Sequence, residues 1–344
     1  MKEYGKFKRL CFDDILLVPQ HSEIESRRQV NLGSGIGSGI TSYALPMPVI
    51  SAPMDTVTEW QMAVEMRRLG GLGMIHRYMS IEDQVRQYKF VEAHGRIAGA
   101  AIGATGDYLE RAWKLAQAGC RLLLVDTANG HSQYAIDAVK KIHQTFGYNM
   151  HIMAGNVATY EGFARLQDAG AHSIRVGIGG GSVCTTRLVS GHGVPTLASI
   201  MDIRERIPYR EGASIIADGG IKNSGDAAKA LAAGADAIML GSMLAGTDES
   251  PGEVINGEYK EFRGMASREA QIDGRGFSSV VEGVATKVPY KGAVCHVIDE
   301  LAGGLGSALS YSGAKNLKEF YEESEFVRVT HSSLTESRPH AHKA

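Results

Sequence analysis

The sequence predicts a closed (β/α)8 barrel, and three observations lead there. Eight short apolar runs recur over about 200 residues, each closed by Gly, Asp, Asn or Ser and followed by a helix-period pattern. The runs are apolar on both faces, as parallel strands covered by helices are. Eight units fit a barrel of about 250 residues. A doubly wound open sheet would instead need a Gly-x-Gly-x-x-Gly turn after its first strand. The chain has Ser51-Ala52-Pro53-Met54-Asp55 there.

The strand runs, in order, are Met47 to Ser51, Leu72 to Ile75, Ile97 to Ile102 and Leu122 to Asp126, then His151 to Ala154, Ser173 to Val176, Ser214 to Ala217 and Ala237 to Leu240. The segments between them are amphipathic. Asp107 to Ala118 places Leu109, Ala112, Trp113 and Ala116 on one face, and Thr159 to Ala169 and Gly225 to Ala233 behave likewise. Each ends near Ala-Gly, which stops a helix and releases the chain into the next strand. After the sixth run a long segment, 177–210, holds Cys184 and the patch Gly191-His192-Gly193. After the eighth, residues 246–289 are rich in Gly, Ser and charge with few apolar anchors, and are expected to form a mobile flap over the site. The organisation is therefore one catalytic domain, 1–330, and a polar tail, 331–344, expected to be partly disordered.

Bulk properties narrow the function. The 344 residues carry 36 basic against 38 acidic side chains, with no basic block to hold nucleic acid. Cys11, Cys120, Cys184 and Cys295 are scattered, without metal-ligand spacing. No apolar run reaches the roughly 18 residues of a membrane span, and the first residues lack a signal-peptide core. Small-molecule chemistry in a reducing cytoplasm is the expectation.

The chemistry should gather on the C-terminal rim of such a barrel. Gly177-Ile178-Gly179-Gly180-Gly181-Ser182-Val183-Cys184-Thr185-Thr186-Arg187 follows the sixth strand and sets a cysteine in a glycine-rich cradle. A thiolate there can meet a ligand, whereas Cys120 and Cys295 read as small core residues. Thr186 can pass a proton beside the thiol. Phosphate often binds after strands seven and eight. Those loops are Asp218-Gly219-Gly220-Ile221 and Gly241-Ser242, with backbone N–H groups at helix starts. Asp218, an acid beside an anion site, suits neutral ribose hydroxyls. Asp55, His76, Arg77, Asp126, Asn129 and Asn156 close other strands, and His76 alone reads as structural.

The cysteine loop, Phe12-Asp13-Asp14-Ile15-Leu16-Leu17-Val18-Pro19, Ser51 to Val57, Ala154-Gly155-Asn156-Val157, Ala217 to Ile221, Met239 to Ser242 and Val288-Pro289-Tyr290-Lys291-Gly292 together resemble the IMP dehydrogenase/GMP reductase family. The resemblance runs from Phe12 to Thr330. It implies a purine nucleoside monophosphate (GMP or IMP), a nicotinamide cofactor and a homotetramer. It makes Cys184 the nucleophile on purine C2. It assigns substrate contacts to Ser182, Asp218, Gly219, Gly220, Gly241, Ser242, Gly264, Met265, Ala266 and Ser267. It assigns cofactor contacts to Asp126, Thr127, Ala128, Asn129 and Gly177. The carbonyls of Gly179, Gly181 and Cys184 would hold a monovalent cation, K+.

Dehydrogenases of the family activate water with an Arg-Tyr pair on a long flap. The matching segment here, Arg268 to Val281, is short and lacks the pair. Glu282 does match, and in reductases this glutamate works with the loop threonine, here Thr186, on departing ammonia. Asn129 stands where dehydrogenases usually have His, and no room exists between Ser80 and Ile97 for the CBS regulatory pair. The expectation is a GMP reductase using NADPH. The alternatives are an IMP dehydrogenase without CBS domains, an FMN-dependent barrel oxidoreductase and a non-catalytic nucleotide-binding protein.

Overall fold

In the computed structural model, which describes residues 10–37 and 39–337, eight parallel strands close on themselves. They are β1 (Val49–Ser51), β2 (Leu72–Ile75), β3 (Gly99–Ile102), β4 (Leu122–Asp126), β5 (His151–Val157), β6 (Ser173–Val176), β7 (Ser214–Asp218) and β8 (Ala237–Leu240). Each pairs with the next, and Ile238 of β8 pairs with Val49 of β1. All eight correspond to the predicted runs.

Side-chain alternation explains why the strands are apolar throughout. Ile50, Leu72, Met74, Ala101, Leu122, Leu124, Met153, Ile216 and Met239 form one buried cluster inside the barrel. Val49, Ile75, Ala100, Leu123, Val125, Ile152, Ile174, Val176, Ile215 and Ile238 form a second one against the helices. Successive residues face opposite sides of a strand, so each side needs its own apolar set. The N-terminal end is closed by the hairpin Ser34–Ile36 with Tyr43–Leu45, whose Ile36 and Leu45 join the inner cluster. Strand β6 breaks the pattern: Ile174 and Val176 face the helices, leaving Arg175 on the inner side.

Three expectations need correction. Helix Tyr108–Gln117 buries Ala112, Leu115 and Arg111, while Trp113 is exposed. Arg111 tolerates burial because Asp107 (2.7 Å), Gln84 (3.0 Å) and the Met79 carbonyl (3.1 Å) accept its protons. Trp113 instead packs its ring 4.9 Å from that of Phe146. Cys295 is half-buried rather than core. The segment 246–289 is also more regular than its composition suggests. Tyr259–Arg263 pairs antiparallel with Ala285–Pro289, helix Arg268–Arg275 lies between, and Phe262 is buried. Within the tail, His331–Glu336 forms a helix capped by Thr330; residues 338–344 lie outside those described.

Candidate active site

Cys184 sits just before the short helix Thr186–Val189, in the loop that leaves β6. Gly177 permits the exit: its φ is +146°, and a Cβ there would lie 1.9 Å from the Asp218 carbonyl oxygen. The Cys184 thiol donates to Thr186 Oγ1 at 3.2 Å, and Thr186 Oγ1 donates to Glu282 Oε2 at 2.9 Å. Glu282 comes from the flap, and backbone pairing holds it there. Thr185 N–H donates to the Glu282 carbonyl (2.9 Å), and Val284 N–H to that of Val183 (3.0 Å). Cys184 and Gly283 form a bridge between the same two segments. Thiol, hydroxyl and carboxylate thus form a chain that can carry a proton from sulfur to Glu282 and back.

Beside this chain lies a polar row drawn from four consecutive strands. Arg175 of β6 donates to Asp126 Oδ1 of β4 at 2.6 Å, and to Asp218 Oδ2 of β7 at 2.9 and 3.1 Å. Asn156 of β5 adds a third bond to Asp218 Oδ2, at 2.7 Å. Arg77, from the rim after β2, approaches Asp126 Oδ2 at 3.5 Å. Burial lowers the Arg175 pKa, but Asp218 and Asp126 outweigh it and the net displacement is upward, so the guanidinium stays charged. Sequence reasoning missed Arg175. The available signal was a cation in the middle of an otherwise apolar strand run.

The glycine loops present donors. Among the described residues, the backbone N–H groups of Gly219, Gly220, Gly241 and Ser242 meet no backbone or side-chain acceptor. A Cβ on Gly219 would lie 3.2 Å from the Gly181 nitrogen, so this loop and the cysteine loop are in direct contact. Unfilled amides at two adjacent strand ends suit a phosphate. Lys291 donates to the carbonyls of Ser242 (2.8 Å) and Met243 (2.9 Å), holding the second loop in place.

The other expected residues fall out as follows. Ser182 is exposed on the cysteine loop. Met265 reaches Asp55, whose N–H contacts its sulfur at 3.4 Å, and the Met265 carbonyl accepts from Tyr78 at 3.1 Å. Gly264 and Ala266 serve the flap, the Ala266 carbonyl accepting from Glu282 N–H at 3.1 Å. Ser267 is buried and its hydroxyl oxygen accepts from Ala270 N–H, capping helix Arg268–Arg275, while its O–H proton meets no acceptor among the described residues. Thr127 donates twice to the Gly155 carbonyl, while Ala128 and Asn129 are exposed. The Gly181 carbonyl already accepts from Cys184 N–H at 3.1 Å, and Arg187 packs against Gly179. The Gly181 oxygen keeps a second lone pair that could ligate a cation, and no step below runs through one. His76 is structural, buried with Tyr78 N–H donating to its Nδ1.

The family model described as "IMP dehydrogenase / GMP reductase domain" matches residues 9–340. The chain belongs to this family. An inosine-5'-monophosphate dehydrogenase of Nitrosopumilus maritimus is 34% identical, covering 96% of this chain and 98% of its own. One from Cryptosporidium parvum is 38% identical, covering 97% and 95%. The first alignment runs over 470 positions against 344 residues here, so that relative carries stretches this chain passes over. Among solved structures, a cysteine-to-alanine variant of GMP reductase from Trypanosoma brucei, in complex with guanosine 5'-monophosphate, superposes with a TM-score of 0.91 at 30% identity, covering 98% of this chain and 99% of that one.

As a member of the IMP dehydrogenase/GMP reductase family, the chain is an oxidoreductase of purine metabolism that uses a nicotinamide cofactor on a (β/α)8 barrel. No helix among the described residues is long and apolar enough to cross a membrane.

Proposed function

We propose that this protein is a GMP reductase, converting GMP to IMP and ammonia at the expense of NADPH. The observation that carries the reading is the chain Cys184–Thr186–Glu282. Its carboxylate end is the flap residue that family reductases use, and among the described side chains no arginine hydrogen-bonds to any of the three.

The residues act in sequence. The four unfilled amides of Gly219, Gly220, Gly241 and Ser242 bind the phosphate, and the remaining oxygen of Asp218 accepts from the ribose hydroxyls. Cys184 loses its proton through Thr186 to Glu282, and the thiolate attacks purine C2. The C2 amino group takes the proton back along the same chain, the C–N bond breaks, and ammonia leaves a thioimidate on Cys184. The nicotinamide cofactor, NADPH in this reading, would when bound supply the hydride that C2 accepts. The C–S bond then breaks, restoring the thiolate and releasing IMP. Asp126, with Oδ1 held by Arg175, has Oδ2 left to orient the nicotinamide ribose. A homotetramer in the cytoplasm, and K+ at the cysteine-loop carbonyls, belong to the same reading.

A second reading, IMP dehydrogenase, draws support from the naming of the sequence relatives. An activity matrix of GMP and IMP against NADPH and NAD separates them. The reductase predicts GMP-dependent NADPH oxidation with one ammonia per turnover. Formation of XMP and NADH from IMP, with GMP inert, would overturn it. Glu282→Gln should lower the GMP reaction by about 10²–10⁴-fold with little change in nucleotide KM.

A further inference from the structure

We propose that Arg175 is a positioning residue that couples the nucleotide and dinucleotide sites, so that filling one strengthens binding at the other. The inference rests on the reading that Asp218 meets the nucleotide ribose and Asp126 the cofactor.

The geometry is specific. One buried guanidinium spends all three nitrogens on two carboxylates: Nη1 on Asp126 Oδ1, and Nε with Nη2 on Asp218 Oδ2. Asp218 Oδ2 also takes the Asn156 bond, so three donors converge on one oxygen, and the other is left for a ligand. Asp126 is held by a single bond from Arg175 to Oδ1, while Arg77 Nε stands 3.5 Å from Oδ2 without a hydrogen bond to it. Both aspartates are half-buried and therefore lie within reach of a ligand, whereas Arg175 is buried between them. A planar fork cannot rotate to follow one carboxylate without leaving the other. A hydroxyl pair that fixes Asp218 therefore fixes Arg175, and with it the rotamer of Asp126. The second ligand meets a carboxylate already ordered, which is positive coupling without a large structural change.

The test uses IMP and NADP+, measured by calorimetry in a Cys184→Ala background that cannot turn over. IMP is a ligand under either reaction direction, and NAD+ replaces NADP+ throughout if NADP+ does not bind, so the test does not depend on which one operates. NADP+ should bind at least about fivefold tighter when IMP is saturating, and IMP tighter by the same factor when NADP+ is saturating. Arg175→Lys, whose flexible point charge lacks the planar fork that ties the two acids together, should bring that factor close to one. Asp126→Asn should weaken IMP binding severalfold, although Asp126 touches no nucleotide; this second variant serves if Arg175→Lys fails to fold. A coupling factor of one in the parent, or one unchanged in Arg175→Lys, overturns the proposal. So does IMP binding indifferent to Asp126→Asn. Failure of IMP to bind at all would instead remove the nucleotide reading itself, and the proposal with it.

Discussion

The two ends of this barrel bury polar groups in opposite ways. At the N-terminal end His151 and Arg204 are closed off by protein, while His143 Nδ1 and Tyr209 Oη near them are buried without a hydrogen-bond partner among the described residues. His151 is fully buried, its Nδ1 against the Thr41 carbonyl at 2.6 Å and its Nε2 against Ser173 Oγ at 2.8 Å. Arg204 places all three guanidinium nitrogens, on Gly234, Pro208 and Asp236. At the C-terminal rim the groups are held from one side only. Asp218 Oδ2 takes three bonds, four glycine-loop amides take none from the protein, and Asp55 Oδ1 and Arg77 Nε are buried without a hydrogen bond. A buried polar group that is fully paired stabilises a fold. One that is half-paired is oriented by the fold and awaits a ligand.

Changes at the rim should cost catalysis and spare stability, and changes at the other end the reverse. The largest effect belongs to Cys184→Ala: kcat should fall on the order of 10⁴-fold or more, with an unchanged urea midpoint. Residual turnover within tenfold of the parent sinks the covalent mechanism. Next, Arg204→Met removes the hydrogen-bonded cation of buried Asp236 and should destabilise by about 3–5 kcal/mol. Urea titration reads this directly, and kcat per folded molecule should stay the same.

Acid tests the same end without mutation. Burial, opposed by the Thr41 hydrogen bond, depresses the His151 pKa to about 4. The unfolded chain therefore binds a proton that the folded one refuses between the ordinary value near 6.5 and about 4. Stability is fully present above that window and is lost as pH falls through it, by roughly 3 kcal/mol at its lower end. His151→Gln should flatten this part of the stability profile; an identical slope would show that other groups dominate. The smallest effect is Ser242→Ala, which keeps the backbone amide but removes the hydroxyl beside it, a second donor to the phosphate; it is expected to raise nucleotide KM by about fivefold, a hydrogen bond of roughly 1 kcal/mol, with kcat nearly unchanged. A large loss of stability there would break the contrast between the two ends.

Most of the architecture was legible in the chain. Eight apolar runs of strand length, each ended by a turn residue, place eight strands, and the glycine-rich loop after the sixth singles out Cys184 among four cysteines. The flap was harder to read. Its buried residues follow no apolar periodic pattern: Lys260 donates to the carbonyls of Thr247 and Ser250, Ser267 caps a helix, and Phe262 is an isolated apolar anchor. Trp113 misled because large apolar area counts toward a helix's inner face in periodicity, whereas Arg111 takes that place once Asp107, Gln84 and Met79 supply acceptors.

The sequence by itself determined the barrel, its loop-bearing C-terminal rim and the glycine-rich loop that sets Cys184 apart from the other three cysteines, because strand period, turn residues and loop composition are local properties of a chain. Tertiary structure alone decided which groups meet. Thr186 and Glu282 stand 96 positions apart yet lie 2.9 Å from each other. Asp126, Asn156, Arg175 and Asp218 come from four strands, with the two aspartates sharing the Arg175 guanidinium and Asn156 bonded to Asp218. Barrel closure sets those distances, and no local pattern encodes a bond between residues that only closure brings together.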